Sequence, residues 1–147
     1  MKQLYKMNRI TWLLVLIAVM TFASCKVERL TPVAESTKDI SGDWTVISAT
    51  RNGTDLMSIV DFSQFKVSFK DGKYTLINKL PFLVSNDGAY SFDDPQYPFK
   101  ISFTPTGKTA VATAFTYPIV NGIRQLTLTF SPGCPGNTYV YTFKKAN

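Results

Sequence analysis

Chemistry in a protein of this length rests on a short list of side chains, and most of that list is missing. The 147-residue chain contains no His, 10 Asp and Glu and 2 Cys. Without imidazole, His-based proton transfer and His-ligated metals are excluded, and the usual Cys/His zinc sites cannot be assembled. No glycine-rich phosphate loop and no Gly-x-Ser-x-Gly turn occurs. The carboxylates are what remains. Asp93-Asp94, with Asn86 and Asp87 nearby in sequence, could offer oxygen ligands to calcium, but their spacing matches no established loop, and adjacent acids in a Pro-bounded turn are usually solvated. Nothing favours a particular pair for glycoside hydrolysis. The residues therefore give no catalytic set, metal set or cofactor, and the expectation is a protein that is not an enzyme.

The cysteines carry more. Lys2, Lys6 and Arg9 precede an apolar run, Ile10 to Ala23, and then Ser24-Cys25. Basic start, short apolar core and small residues before a cut are the order of a secretory signal. A run of 14 residues is short for a bilayer, which takes about 20. Phe22-Ala23-Ser24-Cys25 resembles the lipobox of bacterial lipoproteins, with Phe22 where the pattern prefers Leu. That resemblance implies residues 1–24 as signal peptide and Cys25 as the lipidation site, anchoring the chain to a membrane through its acyl chains. A disulfide to Cys25 is then excluded, and Cys134, in Ser131-Pro132-Gly133-Cys134-Pro135-Gly136, is left alone. No basic neighbour lowers its pKa, so it reads as a small, partly buried loop residue rather than a reactive thiol. Loss of Lys2, Lys6 and Arg9 with the leader leaves 13 basic against 10 acidic residues, too even a balance for a nucleic-acid partner.

Residues 25–40 read as a polar tether and residues 41–147 as one domain. Within it, apolar and polar residues alternate with period two between turn signals. Strands are expected at Trp44 to Thr50, Phe65 to Lys70, Tyr74 to Lys79, Ala89 to Phe92, Phe99 to Thr104, Thr109 to Tyr117, Ile123 to Phe130 and Asn137 to Lys144. Asn52-Gly53, Asp71-Gly72 and Asn121-Gly122 mark tight hairpins, because both residues of such a pair tolerate positive φ. Leu56 to Phe62 is a helical turn or a loop; Pro81 argues for a loop or edge over Leu80 to Val84. The sum is an all-β, about eight-stranded antiparallel meander that closes as a barrel, with a β-sandwich as the alternative. The mature stretch holds 17 aromatic residues, mostly on inward faces; Phe82, Tyr90, Tyr97 and Tyr117 fall in probable loops, where a ring either folds back on the core or lines a mouth.

Several short motifs together resemble the small lipocalin-like lipoproteins of Bacteroides-type bacteria. They are the leader with Cys25, Gly42-Asp43-Trp44, Ser48 to Gly53, Asp71-Gly72-Lys73-Tyr74 and Tyr139-Val140-Tyr141-Thr142-Phe143. The resemblance implies a lipocalin-like barrel whose Trp44 has a structural role, closing the barrel floor. The family's usual Arg near the end of the last strand is replaced here by Lys144 and Lys145. It also implies a non-enzymatic, membrane-anchored envelope protein that binds a small apolar or glycan ligand through residues the sequence does not identify. The alternative is an accessory subunit docking on a protein partner in an outer-membrane assembly. Lys26-Val27-Glu28-Arg29 lacks the acidic stretch associated with surface export, so the periplasmic face of the outer membrane is expected.

Overall fold

Alternating apolar residues between Gly-containing turns form strands because each strand can bury one face while its backbone pairs sideways. In the computed structural model, which describes residues 34–146, this produces ten strands. They are β1 (Gly42–Arg51), β2 (Thr54–Asp55), β3 (Lys66–Lys70), β4 (Lys73–Ile77), β5 (Gly88–Phe92), β6 (Lys100–Pro105), β7 (Val111–Thr116), β8 (Ile119–Val120), β9 (Ile123–Phe130) and β10 (Tyr139–Lys145). All pairings are antiparallel, and there is no helix among the described residues. The order runs β10-β1-β3-β4-β5-β6-β7-β9, and a β9–β10 ladder from Tyr139↔Phe130 to Lys144↔Gln125 closes the circle. The protein is thus a closed eight-stranded antiparallel barrel with two extra short strands, β2 on β1 and β8 on β9.

The three hairpin dipeptides adopt the geometry their residue types favour. Asn52 and Gly53 have φ of 49° and 79°, Asp71 and Gly72 of 50° and 72°, Asn121 and Gly122 of 51° and 76°. Two successive positive φ values match the right-handed twist of the flanking strands. The meander has one irregularity that alternation does not announce. In β1 the register against β10 shifts between Val46 and Ser48, so Ile47 is bulged out and exposed, and the inward set is Trp44, Val46 and Ala49.

Strand direction defines two ends. Gly42, the Asp71-Gly72 turn, Lys100, Thr116 and Lys145 lie at the floor; Arg51, Ile77, Pro105, Val111 and Tyr139 lie at the roof. The chain enters at the floor. Trp44 is buried there, and its Nε1 donates to the carbonyl of the fully buried Ile40 at 2.8 Å. Tyr117 lies 6.0 Å away, centroid to centroid, and its hydroxyl donates to the Asp39 carbonyl at 2.8 Å. Lys145 stands opposite Trp44 in the β1–β10 ladder and its stem crosses Gly42, where a Cβ would lie 2.6 Å from Lys145 Cε. The floor is therefore closed by Ile40, Trp44 and Tyr117, with a lysine stem at its margin.

One expectation changes, that of Phe99 as the first inward residue of a strand over Phe99 to Thr104. Phe99 is in register with the inward residues Ile101 and Phe103, but it precedes the first β6 pair at the rim and is 76% exposed. Leu56 to Phe62 forms a single hydrogen-bonded turn, Val60 N to Leu56 O at 2.9 Å, in keeping with the helical turn or loop expected there.

Candidate functional site

The interior of an eight-stranded barrel is the natural place for a small ligand, since eight strands leave room either for packed side chains or for one guest. Here side chains take the room. Phe65, Phe69, Tyr74, Phe103, Phe115, Tyr141 and Phe143 are each almost inaccessible. The β4–β5 connection, which Pro81 keeps out of the sheet, drops Phe82 into the centre. Its ring lies 5.5 Å from Phe130, 5.6 Å from Phe65, 5.8 Å from Phe103 and 6.3 Å from Phe143, mostly edge to face. That offset geometry is the favoured one for aromatic rings. Val84, from the same connection, is buried beside it. Toward the floor, the gap among Trp44, Val67, Phe69, Leu126, Leu128 and Phe143 is too small to admit a water molecule.

The polar groups of this core are satisfied. Tyr74 donates to the Asn86 carbonyl at 2.7 Å and Tyr141 to the Pro81 carbonyl at 3.0 Å, so both phenols tie the plug-bearing connection down. Burial pushes each hydroxyl up to about 12, with Asp87 adding to the rise at Tyr74 and Tyr139 to that at Tyr141. Thr113, the buried polar residue of β7, donates to the Thr129 carbonyl. No buried side-chain nitrogen or oxygen among the described residues lacks a partner. Buried polar groups are expected to be paired in this way, and the pairing here is internal to the barrel and its β4–β5 connection.

Open hollows lie outside the barrel. One of about 470 Å³ runs between β4 and the β5–β6 ribbon, lined in part by Lys73, Thr75, Asp87, Thr104, Thr106 and Lys108. It forms because β4 and β5 share only two pairs, Lys73↔Ala89 and Tyr74↔Gly88, before they splay. Asp87 fills part of the missing ladder by accepting from Leu76 N at 3.0 Å. Another hollow, of about 310 Å³, lies at the roof between Arg51, Asn52, Thr54, Leu56 and Ile59. Met57 and Ile59 are exposed in the same turn.

The acids singled out in the sequence do not converge. Asp87 and Asp93 sit at opposite ends of β5. Asp93 Oδ1 accepts from the backbone N–H groups of Asp94, Phe99 and Lys100, and Asp94 Oδ1 from those of Gln96 and Tyr97. These bonds, the one from Lys100 first, hold the Asp93 carboxyl below the ordinary carboxylate range. The pair shapes its own loop; among the described residues no cluster of acids and cysteines could hold a metal ion. Of the four aromatics expected in loops, Phe82 is buried, Tyr90 lies within β5 opposite Phe103 and is half-buried, Tyr117 is half-buried against the core, and Tyr97 is exposed. Cys134 is exposed rather than partly buried, as are its loop neighbours Gly133, Pro135 and Gly136. Cys25 and residues 1–33 lie outside the described residues.

A family comparison covers nearly all of this architecture. Residues 24–144 match the family described as a domain of unknown function, DUF5004. The chain belongs to the DUF5004 family. The match takes in every barrel strand, ending inside β10, and it includes Cys25. No curated protein and no solved structure matches the DUF5004 chain. Burial on the core is one fate expected for Phe82 from the sequence, and the structure bears that out; sequence reasoning missed the ring's central position as a plug and the β8–β9 extension. The Pro81 signal pointed to a loop, but nothing local says that a loop turns inward.

Proposed function

We propose that this DUF5004 chain is a non-enzymatic lipoprotein of the cell envelope, anchored through Cys25 to the outer membrane on its periplasmic face, that works as an accessory subunit by docking its outer surface on a protein partner. The observation that carries the choice of surface over interior is the Phe82 plug: among the described residues its ring and its neighbours fill the centre of the barrel, and the gap toward the floor admits no water. The leader and the Cys25 motif support the anchor. The absence of His and the dispersed acids support a binding role over catalysis. At the roof, Leu56 and Ile59 border a hollow with Arg51, and Met57 is exposed in the same turn, a mix of apolar and guanidinium groups of the kind that interfaces favour.

Cross-linking in intact cells, followed by purification from the native membrane in mild detergent, tests the reading. A stoichiometric envelope protein joined to the barrel surface is the expected result. A lone monomer, both before and after cross-linking, would overturn it. Recovery of a glycan or lipid held one-to-one with the monomer would return the protein to the small-ligand reading.

A further inference from the structure

Beyond the barrel floor, β8 and β9 continue as a two-stranded finger. The last β9–β10 pair is Lys144↔Gln125, and the last β7–β9 pair is Thr116↔Thr127. Past these, only Ile119↔Arg124 and Val120↔Ile123 remain, closed by the Asn121-Gly122 turn. Paired residues share a face, so Val120 and Ile123 lie on one side and Ile119 on the other. Ile119 is 59% exposed, Val120 41% and Ile123 52%. A free hairpin surrounded by water would carry polar residues on at least one face. This one carries apolar, β-branched residues at its tip on both.

The neighbouring rim has the same character. Phe99 N–H is fixed by Asp93, its carbonyl accepts from Phe115 N at 2.8 Å, and its ring projects into solvent. Tyr97 is exposed on the same loop, with the Lys38 ammonium 5.9 Å from its ring centre. Arg124 lies over the Tyr117 ring at 4.6 Å, and Lys100 follows Phe99. The nearby carboxylates of Asp93 and Asp94 accept from their own loop's amides. The chain enters at this same end: Lys38 N donates to the Pro95 carbonyl at 2.7 Å, and the Asp39 carbonyl accepts from Tyr117.

We propose that this floor end seats on a lipid bilayer, with Ile119, Val120 and Ile123 dipping among the headgroups and Tyr97 and Phe99 at the interface. Apolar tips flanked by aromatic rings and by Arg or Lys are the composition that partitions into the interfacial zone. The finger extends two pairs beyond the barrel, roughly 7 Å at strand rise, which is the depth of that zone. The choice of a bilayer over a protein rests on the anchored reading, because a chain that enters at the floor from a lipidated Cys25 favours this end over the roof at the membrane. Tethering then makes the finger's contact intramolecular, so three small apolar side chains suffice.

The test uses the full lipoprotein, purified in detergent from its own membranes and reconstituted in vesicles of phosphatidylcholine with phosphatidylglycerol. Val120→Cys in a Cys134→Ser background carries a fluorophore at the finger tip, and the wild-type Cys134 carries it at the roof. Quenching by a spin-labelled lipid is expected at position 120 and absent at Cys134. Adding Ile119→Ser and Ile123→Ser, both exposed, abolishes the quenching while the far-ultraviolet spectrum stays unchanged. The mass of the purified chain reports separately whether Cys25 carries lipid. A lipidated protein that floats with vesicles while position 120 stays unquenched overturns the docking and leaves the anchor standing. If the chain is unlipidated, Cys25→Ser is added so that position 120 holds the one thiol, and quenching there when vesicles are added upholds the docking and removes the anchor. Shielding of the tip without vesicles, together with twice the monomer mass, assigns the finger to a second copy and overturns the proposal.

Discussion

Tyr74 and Tyr141 show how single side chains join the barrel wall to its plug. Each ring is buried among aromatics, and each hydroxyl reaches a carbonyl of the connection that carries Phe82. Burial raises both hydroxyls to about 12, against an ordinary value near 10. The folded state therefore holds these protons more tightly than the unfolded chain does. The contribution is complete below pH 10 and is lost as pH rises from 10 to 12, so stability falls with alkalinity across that window. Thermal melts between pH 8 and pH 12 should show the fall, and Tyr74→Phe should flatten it. The same substitution lowers stability at neutral pH by about 1 kcal/mol through the lost hydrogen bond to Asn86. An unchanged alkaline slope in the variant would show that Tyr74 titrates as it does in the unfolded chain.

At the level of elements, the β4–β5 pair is the shortest seam of the wall, with two residue pairs, and Gly88 in that seam is also the point of closest approach to β6 on its other side. A Cβ on Gly88 would lie 2.0 Å from the Thr104 carbonyl oxygen and 2.8 Å from Pro105 Cα, both backbone atoms of β6. No side-chain rotation relieves such a clash. Gly88→Ala must push β5 from β6 and is expected to destabilise the fold by at least about 1–3 kcal/mol, read as a lowered denaturation midpoint. Gly53→Ala gives the comparison. Nothing lies within 4 Å of a Cβ there, so its cost comes from the positive φ of 79° alone. The turns were legible in the sequence because Asn-Gly and Asp-Gly report their own φ values. The requirement at Gly88 was not, because it depends on a strand that approaches only after the sheet is assembled.

For the whole molecule, the deciding feature is that the barrel is solid. Phe82→Ala should destabilise by about 3–5 kcal/mol and leave an apolar hole among Phe65, Phe103, Phe130 and Phe143. The variant should then take up xenon or a small aromatic hydrocarbon, seen by shifts of surrounding methyl resonances, while the wild type takes up neither. Equal uptake by the wild type would mean that the interior is open to ligands. Function, on this view, belongs to the outside: the finger at the floor and the apolar turn at the roof point in opposite directions, one toward a membrane and one toward a partner. By itself the sequence determined the fold class, the hairpins, most strand limits and the inward faces, because period two and turn chemistry are local properties that pairing only ratifies. Tertiary structure decided the rest. Closure pairs β10 with β1, the last strand with the first, and the bulge at Ile47 resets which residues face inward only once β10 is paired. The inward fall of Phe82 is set by the volume the other rings leave empty, and the exposure of Phe99, Ile119, Val120 and Ile123 by where neighbouring strands stop. These are facts about distant parts of the chain meeting, and no local pattern encodes them.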